Sequence, residues 1–124
     1  MYLVLVLAAT SVVGVQTSAN AESTCGITRQ GVSGWYYCSY PVWDTEFQGR
    51  QYTFLVGGGH DVWFIRSGYS SWKSIGGTAS QNRLDVSKNS SEMKVTINEF
   101  NVGERCNFST DGDLWRGWVR ACWL

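Results

Sequence analysis

Residues 51–66 read QYTFLVGGGHDVWFIR, and this stretch decides the fold class. On each side of Gly57-Gly58-Gly59 lies a short segment rich in aromatic and β-branched residues, a composition that favours β-strands. Glycine adopts positive φ at little cost, so three glycines between two such segments predict a tight reversal of the chain. We therefore predict a β-hairpin over residues 51–66.

Short strands separated by turn residues continue along the chain, whereas no stretch repeats apolar residues with helical spacing for more than a turn. The polar turn at residues 88–91 predicts a second hairpin. Strands spaced about eight to twelve residues apart are typical of small sandwiches, barrels and propeller blades. We predict an all-β domain, either a small antiparallel sandwich or two propeller-blade-like sheets. The further strands are expected at residues 35–40, 72–75, 83–87, 93–100 and 114–123.

The first 21 residues have the features of a signal peptide. An apolar run over residues 3–15 is shorter than the ~20 residues that cross a bilayer. It is followed by Ala19-Asn20-Ala21, the small-residue pattern of a cleavage site. We expect residues 1–21 to be removed and residues 22–124 to form a single secreted, extracellular domain. No other segment is apolar enough to suggest a membrane span.

Four cysteines lie beyond the expected cleavage site, and an even number in a small exported chain indicates disulfides. Zinc is disfavoured because no C-x-x-C pair occurs and the single histidine is distant in sequence from every cysteine. We favour the bridges Cys25–Cys38 and Cys106–Cys122, which close short loops. A bridge from Cys25 to Cys122 is the alternative.

Charge and aromatic content narrow the class of partner. Ten basic and ten acidic residues balance, so no strong field draws the protein to nucleic acid or anionic lipid. The chain has seven tryptophans, and a small domain cannot bury so many large rings completely. Exposed Trp and Tyr side chains are frequent recognition surfaces. The composition therefore favours binding of a glycan or a cell-surface protein.

Two segments resemble a known repeat. Residues 54–63, FLVGGGHDVW, followed by residues 71–77, SWKSIGG, resemble the repeat of tectonin-like β-propeller lectins, in which a W-x-S-[LI]-G-G corner closes each blade. Residues 111–118, DGDLWRGW, resemble the corner of a following blade without its double glycine. The resemblance covers residues 50–80 and, more weakly, 93–123. It implies a packed role for Trp72 and two blades at most, so that a ring would need a homo-oligomer.

Evidence for catalysis or for a bound cofactor is weak. Histidine is the residue type most often used for acid–base catalysis, but His60 follows three glycines and has no nucleophile or orienting carboxylate nearby in sequence. We interpret it as an exposed turn residue that contributes neither packing nor catalysis. The segment Asp111-Gly112-Asp113 lacks the alternating ligands of a calcium loop. We therefore expect a non-enzymatic protein with no metal and no cofactor.

The expected binding surface centres on the C-terminal segment. In an extended strand Trp115 and Trp118 point to opposite faces, and we assign Trp115 to the core and Trp118, beside Gly117, to the surface. This predicts a lectin-like protein that binds glycans by ring stacking and hydrogen bonding; the alternative is a small secreted effector, toxin or inhibitor that binds a host or competitor protein. The residues expected to bind the ligand are Trp118, Arg116, Asp111, Asp61, Arg66, Trp43 and Tyr40.

Overall fold

The computed structural model describes residues 22–122, and within this range the chain is all-β. The predicted signal peptide at residues 1–21 lies outside the described residues, as does Trp123. No helix in the described part of the chain is long and apolar enough to cross a membrane. Its strands are β1 (Thr24–Arg29), β2 (Val32–Tyr37), β3 (Trp43–Phe47), β4 (Arg50–Val56), β5 (Val62–Arg66), β6 (Lys73–Gly76), β7 (Ala79–Lys88), β8 (Met93–Glu99) and β9 (Gly103–Ser109).

The strands form three antiparallel sheets in which neighbours follow one another in sequence. They comprise a two-stranded sheet β1-β2, a four-stranded sheet β3-β4-β5-β6 and a three-stranded sheet β7-β8-β9. The predicted hairpin is confirmed as β4–β5, with Val56 opposite Val62. Its turn contains a short 3-10 segment at Gly58–His60, in which Gly59 has φ 71°. The second predicted hairpin is confirmed as β7–β8.

The core lies between the two larger sheets. Phe54 on β4 lies directly opposite Phe64 on β5, and directly paired residues of neighbouring strands point to the same face of the sheet. Their rings stack with centroids 5.6 Å apart, and Trp115 meets both rings edge-on. The buried cluster also includes Leu84 and Ile97 from the three-stranded sheet. The two sheets therefore share one hydrophobic core, as the sandwich prediction expects.

The two-stranded sheet is attached to the rest of the domain by an ion pair and is closed by a disulfide of its own. Arg29 on β1 donates two hydrogen bonds of 2.9 Å to the carboxylate of Asp44 on β3. Cys25 and Cys38 form a disulfide that closes the hairpin. A two-stranded hairpin is marginally stable alone, so these links matter for its position.

Both predicted disulfides are present, Cys25–Cys38 and Cys106–Cys122, and the described residues contain no free cysteine. The alternative bridge from Cys25 to Cys122 is therefore excluded. The second bridge connects β9 to the segment that follows it, because Cys106 lies within β9.

The predicted strand at residues 114–123 is wrong. Residues 110–122 make turns and one isolated bridge, between Cys106 and Val119. The Asp111 carboxylate accepts hydrogen bonds from the backbone N–H groups of Asp113 and Leu114. These bonds stabilise a turn where a strand is predicted. The first predicted strand is also displaced, since β2 ends at Tyr37 and the chain turns directly after it.

Candidate functional site

An apolar cleft lies where the β1–β2 hairpin meets the β4–β5 hairpin, and we call it the tryptophan cleft. Its volume is about 210 Å³. This corresponds to roughly seven water molecules and is below the range of about 300 to 1,000 Å³ typical of drug-sized ligand pockets. The cleft therefore suits one ring rather than a large molecule. It is lined by Gly34, Trp35, Leu55, Gly57, Gly58, Trp63 and Trp72.

Strand alternation explains why this cleft lies away from the core. Leu55 and Trp63 are opposite each other on β4 and β5, one position away from Phe54 and Phe64, so they point to the other face of the sheet. The β1–β2 hairpin covers this outer face and brings Trp35 to the cleft. Trp35 is 46% exposed, which leaves much of its ring in contact with solvent.

Glycines allow the rings to approach the backbone closely. A Cβ at Gly34 would lie 2.7 Å from the Nε1 atom of Trp72, and a Cβ at Gly57 would lie 3.2 Å from the carbonyl oxygen of Trp35. A side chain at either position would therefore fill or distort the cleft. These glycines are required for the space they leave rather than for their conformation, because neither has a positive φ.

The rings of Trp63 and Trp72 are held in place before any ligand binds. Trp63 donates its indole N–H to the carbonyl oxygen of Gly58 at 3.2 Å. The indole N–H of Trp72 is buried against Gly34 and has no hydrogen-bond partner among residues 22–122. A preformed cleft loses little conformational entropy on binding, which favours affinity.

The lining of the tryptophan cleft carries no charged side chain. The turn at residues 57–60, which we call the glycine turn, is followed directly by Asp61. The Asp61 carboxylate accepts a hydrogen bond of 3.2 Å from the Ser74 hydroxyl. An apolar surface with few polar groups nearby can take the C–H face of a sugar ring or an apolar side chain of a protein. The residues that line it supply no nucleophile and no acid or base.

Trp118, expected to stack on a ligand, is half-buried against the core. Its indole N–H donates to the carbonyl oxygen of Ile75 at 2.8 Å, and its ring packs on the Gly76-Gly77 corner. A Cβ added to Gly77 would come within 2.9 Å of that ring. The structure therefore gives Trp118 a packing role at this corner. The partial burial of Trp115 against the core agrees with its expected inward position.

Arg66 is held within the fold by Asp113 and Tyr69. Its guanidinium donates to the Asp113 carboxylate at 2.6 and 3.0 Å and lies over the Tyr69 ring, 4.5 Å from the centroid. The Arg66 guanidinium lowers the pKa of the Asp113 carboxyl. Burial and a hydrogen bond to Asp113 raise the pKa of Tyr69 to about 12.

The other residues expected to bind a ligand are spread over the molecule. The Asp111 carboxylate accepts hydrogen bonds from backbone N–H groups of its own turn, and Arg116 forms an ion pair with Glu92. Tyr40 is buried at 4% exposure, and Trp43 donates its indole N–H to a backbone carbonyl. Of the seven, Asp61 lies nearest in sequence to the tryptophan cleft. The structure does not bring the seven residues together into one site.

Sequence reasoning missed the tryptophan cleft because its rings come from three distant segments. Trp72 was expected to be packed, and Trp35 was not singled out. The available signal was the association of tryptophans with glycines, Gly34 before Trp35 and Gly57-Gly58 before Trp63. A glycine beside an aromatic residue marks a place where a ligand or a backbone can approach closely.

A second cleft, which we call the polar cleft, lies on the other side of the glycine turn. Its volume is about 440 Å³, and its lining includes Glu22, His60, Gln81, Asn82 and Phe100. The interpretation of His60 as a residue without packing contacts is wrong. Its ring stacks on Tyr37 with centroids 4.3 Å apart and hydrogen-bonds the Glu22 carboxylate.

Comparisons with protein-family models, with curated proteins and with solved structures find no match for this chain. The resemblance to tectonin-like repeats therefore stays a prediction.

Proposed function

We propose that this protein is a secreted, non-catalytic, lectin-like recognition protein that binds a sugar ring in the tryptophan cleft. The observation that carries the proposal is the meeting of three tryptophans over a glycine-rich surface, in an uncharged cleft of about 210 Å³. A sugar ring has apolar C–H faces and a polar edge. Its face would pack on the indole rings while its hydroxyls reach the rim of the cleft and water.

Two further features support the proposal. The cleft lining has no titratable or nucleophilic side chain, which favours binding without chemistry. The two disulfides favour an oxidising, extracellular location.

A glycan array probed with the mature protein, residues 22–124, tests this function. The Trp35→Ala variant removes the most exposed ring of the cleft and should reduce binding at least tenfold, about 1.4 kcal/mol, with little loss of stability. Leu114→Ala is the control, because Leu114 is an apolar residue exposed at 77% that does not line the cleft. Binding by the wild type and Leu114→Ala, with loss in Trp35→Ala, supports the function. A folded wild-type protein that binds no glycan, or an unaffected Trp35→Ala variant, contradicts it.

The apolar lining also favours a second candidate function, that of a small secreted effector, toxin or inhibitor. In that case the tryptophan cleft would take an apolar side chain from a host or competitor protein, since tryptophans at pocket centres often dominate binding energy. Silence on the array, combined with a protein captured by the wild type and lost by Trp35→Ala, would favour this candidate over the glycan.

A further inference from the structure

We propose that the tryptophan cleft and the polar cleft are two ends of one groove that binds a linear, uncharged oligosaccharide. This inference rests on the proposed function and adds the size and charge of the ligand. Three observations carry it: a row of aromatic rings that joins the clefts, unpartnered amide groups in the polar cleft, and the absence of lysine and arginine from both linings.

A row of three rings connects the two clefts. Trp35 and Tyr37 are two positions apart on β2, so their side chains project from the same face, and their centroids are 5.4 Å apart. Tyr37 stacks on His60 at 4.3 Å. Trp35 lines the tryptophan cleft and His60 lines the polar cleft. Gly57 and Gly58 line the tryptophan cleft and His60, in the same turn, lines the polar cleft, so the two clefts adjoin at this turn.

The polar cleft presents hydrogen-bonding groups suited to hydroxyls. Gln81 and Asn82 both have left-handed backbone conformations, φ 58° and 56°, at a register shift between β7 and β8. Such irregularities redirect side chains and are enriched next to functional sites. The amide oxygens of both residues accept hydrogen bonds from Asn98 and Ser39, whereas their NH₂ groups have no partner among residues 22–122. They remain free to donate to a ligand.

An exposed ring completes the polar cleft. Phe100 is 61% exposed at the end of β8, an uncommon position for a large apolar side chain without a partner. An aromatic face beside free amide donors and the Glu22 carboxylate matches the apolar face and polar edge of a second sugar unit. The polar cleft therefore provides a second subsite of the same kind.

The charge of the lining selects the ligand. Neither lining contains a lysine or an arginine, and Glu22 contributes a negative charge to the polar cleft. An acidic sugar would meet a like charge there without a lysine or arginine to pair with it, which is unfavourable. The imidazole of His60 is already hydrogen-bonded to Glu22. The groove therefore favours neutral oligosaccharides over acidic ones.

Titration calorimetry with sugars of increasing length tests the groove. The probes are cello-oligosaccharides and chito-oligosaccharides, each from the monosaccharide to the hexasaccharide, with oligogalacturonides as the acidic series. We expect affinity for a neutral series to rise at least tenfold from the monosaccharide to the longest member. Phe100→Ala should remove most of this gain and leave monosaccharide affinity unchanged, whereas Trp35→Ala should weaken every member.

Leu114→Ala serves again as the control and should behave as the wild type. Affinity that does not depend on length, a gain that survives Phe100→Ala, or tighter binding of the acidic series overturns the extended groove. A monosaccharide that binds and is lost with Trp35→Ala still supports the proposed function in each of these cases. If no member of either neutral series binds, the groove proposal is overturned. The proposed function is then tested separately by the glycan array.

Discussion

The tryptophans of this domain have two roles, and the position of the ring relative to the core distinguishes them. Trp43 and Trp118 donate to carbonyl oxygens of other strands at 2.6 and 2.8 Å, which fixes them as parts of the fold. Trp35 keeps nearly half of its surface exposed at the rim of the tryptophan cleft. Burial against the core and exposure beside glycines therefore separate structural tryptophans from candidate binding residues.

A methyl group at Gly34 tests how closely the cleft is packed. In Gly34→Ala the new Cβ would lie 2.7 Å from the Trp72 indole nitrogen, so the ring must move and the cleft must change shape. We expect a stability loss of about 1–3 kcal/mol and weaker binding of the glycan identified on the array. Gly26→Ala is the matched control, because Gly26 lies on the same hairpin and its Cβ would meet nothing within 4 Å. Urea denaturation and calorimetry measure both effects; equal behaviour of the two variants would refute this packing.

The Arg66–Asp113–Tyr69 cluster should give the domain a defined pH dependence. The pKa of Asp113 is lowered in the folded state, so its contribution to stability is present above the ordinary pKa of about 3.9 and is lost as pH falls through the folded pKa. Tyr69 has its pKa raised to about 12, so its contribution is present below about 10 and is lost as pH rises through about 12.

Ultraviolet titration of tyrosinate in the folded protein checks the tyrosine. We expect Tyr69→Phe to remove one tyrosine that ionises near pH 12, while Tyr36→Phe, a control outside this cluster, leaves that late step in place. Tyr69 ionising near its ordinary pKa of about 10 would contradict the cluster.

The disulfides should have different effects on the site. Replacing Cys25 and Cys38 by serine removes the cross-link within the hairpin that carries Trp35, whereas replacing Cys106 and Cys122 removes one from a segment that does not line the tryptophan cleft. Each loss should cost about 3 kcal/mol by the loop-entropy estimate. At temperatures where both variants are folded, we expect the first to bind the glycan at least tenfold more weakly and the second to bind like the wild type. Denaturation and calorimetry test this, and equal affinities would argue against the hairpin's role.

At the level of strands, the sequence was most informative where composition and turn chemistry agreed. The hairpins β4–β5 and β7–β8 were predicted because aromatic and β-branched runs flank glycine or polar turns. The strands β1, β3 and β9 were missed because their alternation includes many polar residues, as in TCGITR of β1. The prediction for the segment after β9 is wrong because its aromatic residues suggest a strand. In the structure, the side chains of Asp111 and Asn107 accept hydrogen bonds from backbone N–H groups of this segment, which a strand would direct to a neighbouring strand.

The binding surface was harder to predict than the fold. Hairpins of neighbouring strands can be predicted from the local pattern of residues in the sequence. The tryptophan cleft, in contrast, requires the β1–β2 hairpin to dock on the outer face of another sheet. That docking depends on contacts between residues far apart in sequence, such as Arg29 with Asp44 and Gly34 with Trp72. No periodic pattern in one segment reports such a contact.

The whole molecule consists of a body of two sheets that share one core and a disulfide-closed hairpin that packs on the outer face of one sheet. The body encloses a core of stacked rings, and the hairpin exposes Trp35 at its surface and packs Tyr37 against the core. The clefts lie at the junction of the hairpin, the glycine turn and the bulged start of β7. The proposed ligand-binding site therefore lies where the β1–β2 hairpin meets the two-sheet body.

Nuclear magnetic resonance of the tryptophan indole N–H groups tests this assignment most directly. The ¹⁵N-labelled protein, residues 22–124, is titrated with the glycan identified on the array, and single Trp→Phe variants assign each indole signal. We expect the signals of Trp35 and Trp63 to shift on binding and those of Trp43 and Trp118, which do not line the tryptophan cleft, to stay in place. A shift of the Trp118 signal, with the signals of Trp35 and Trp63 unmoved, would contradict the tryptophan cleft as the binding site.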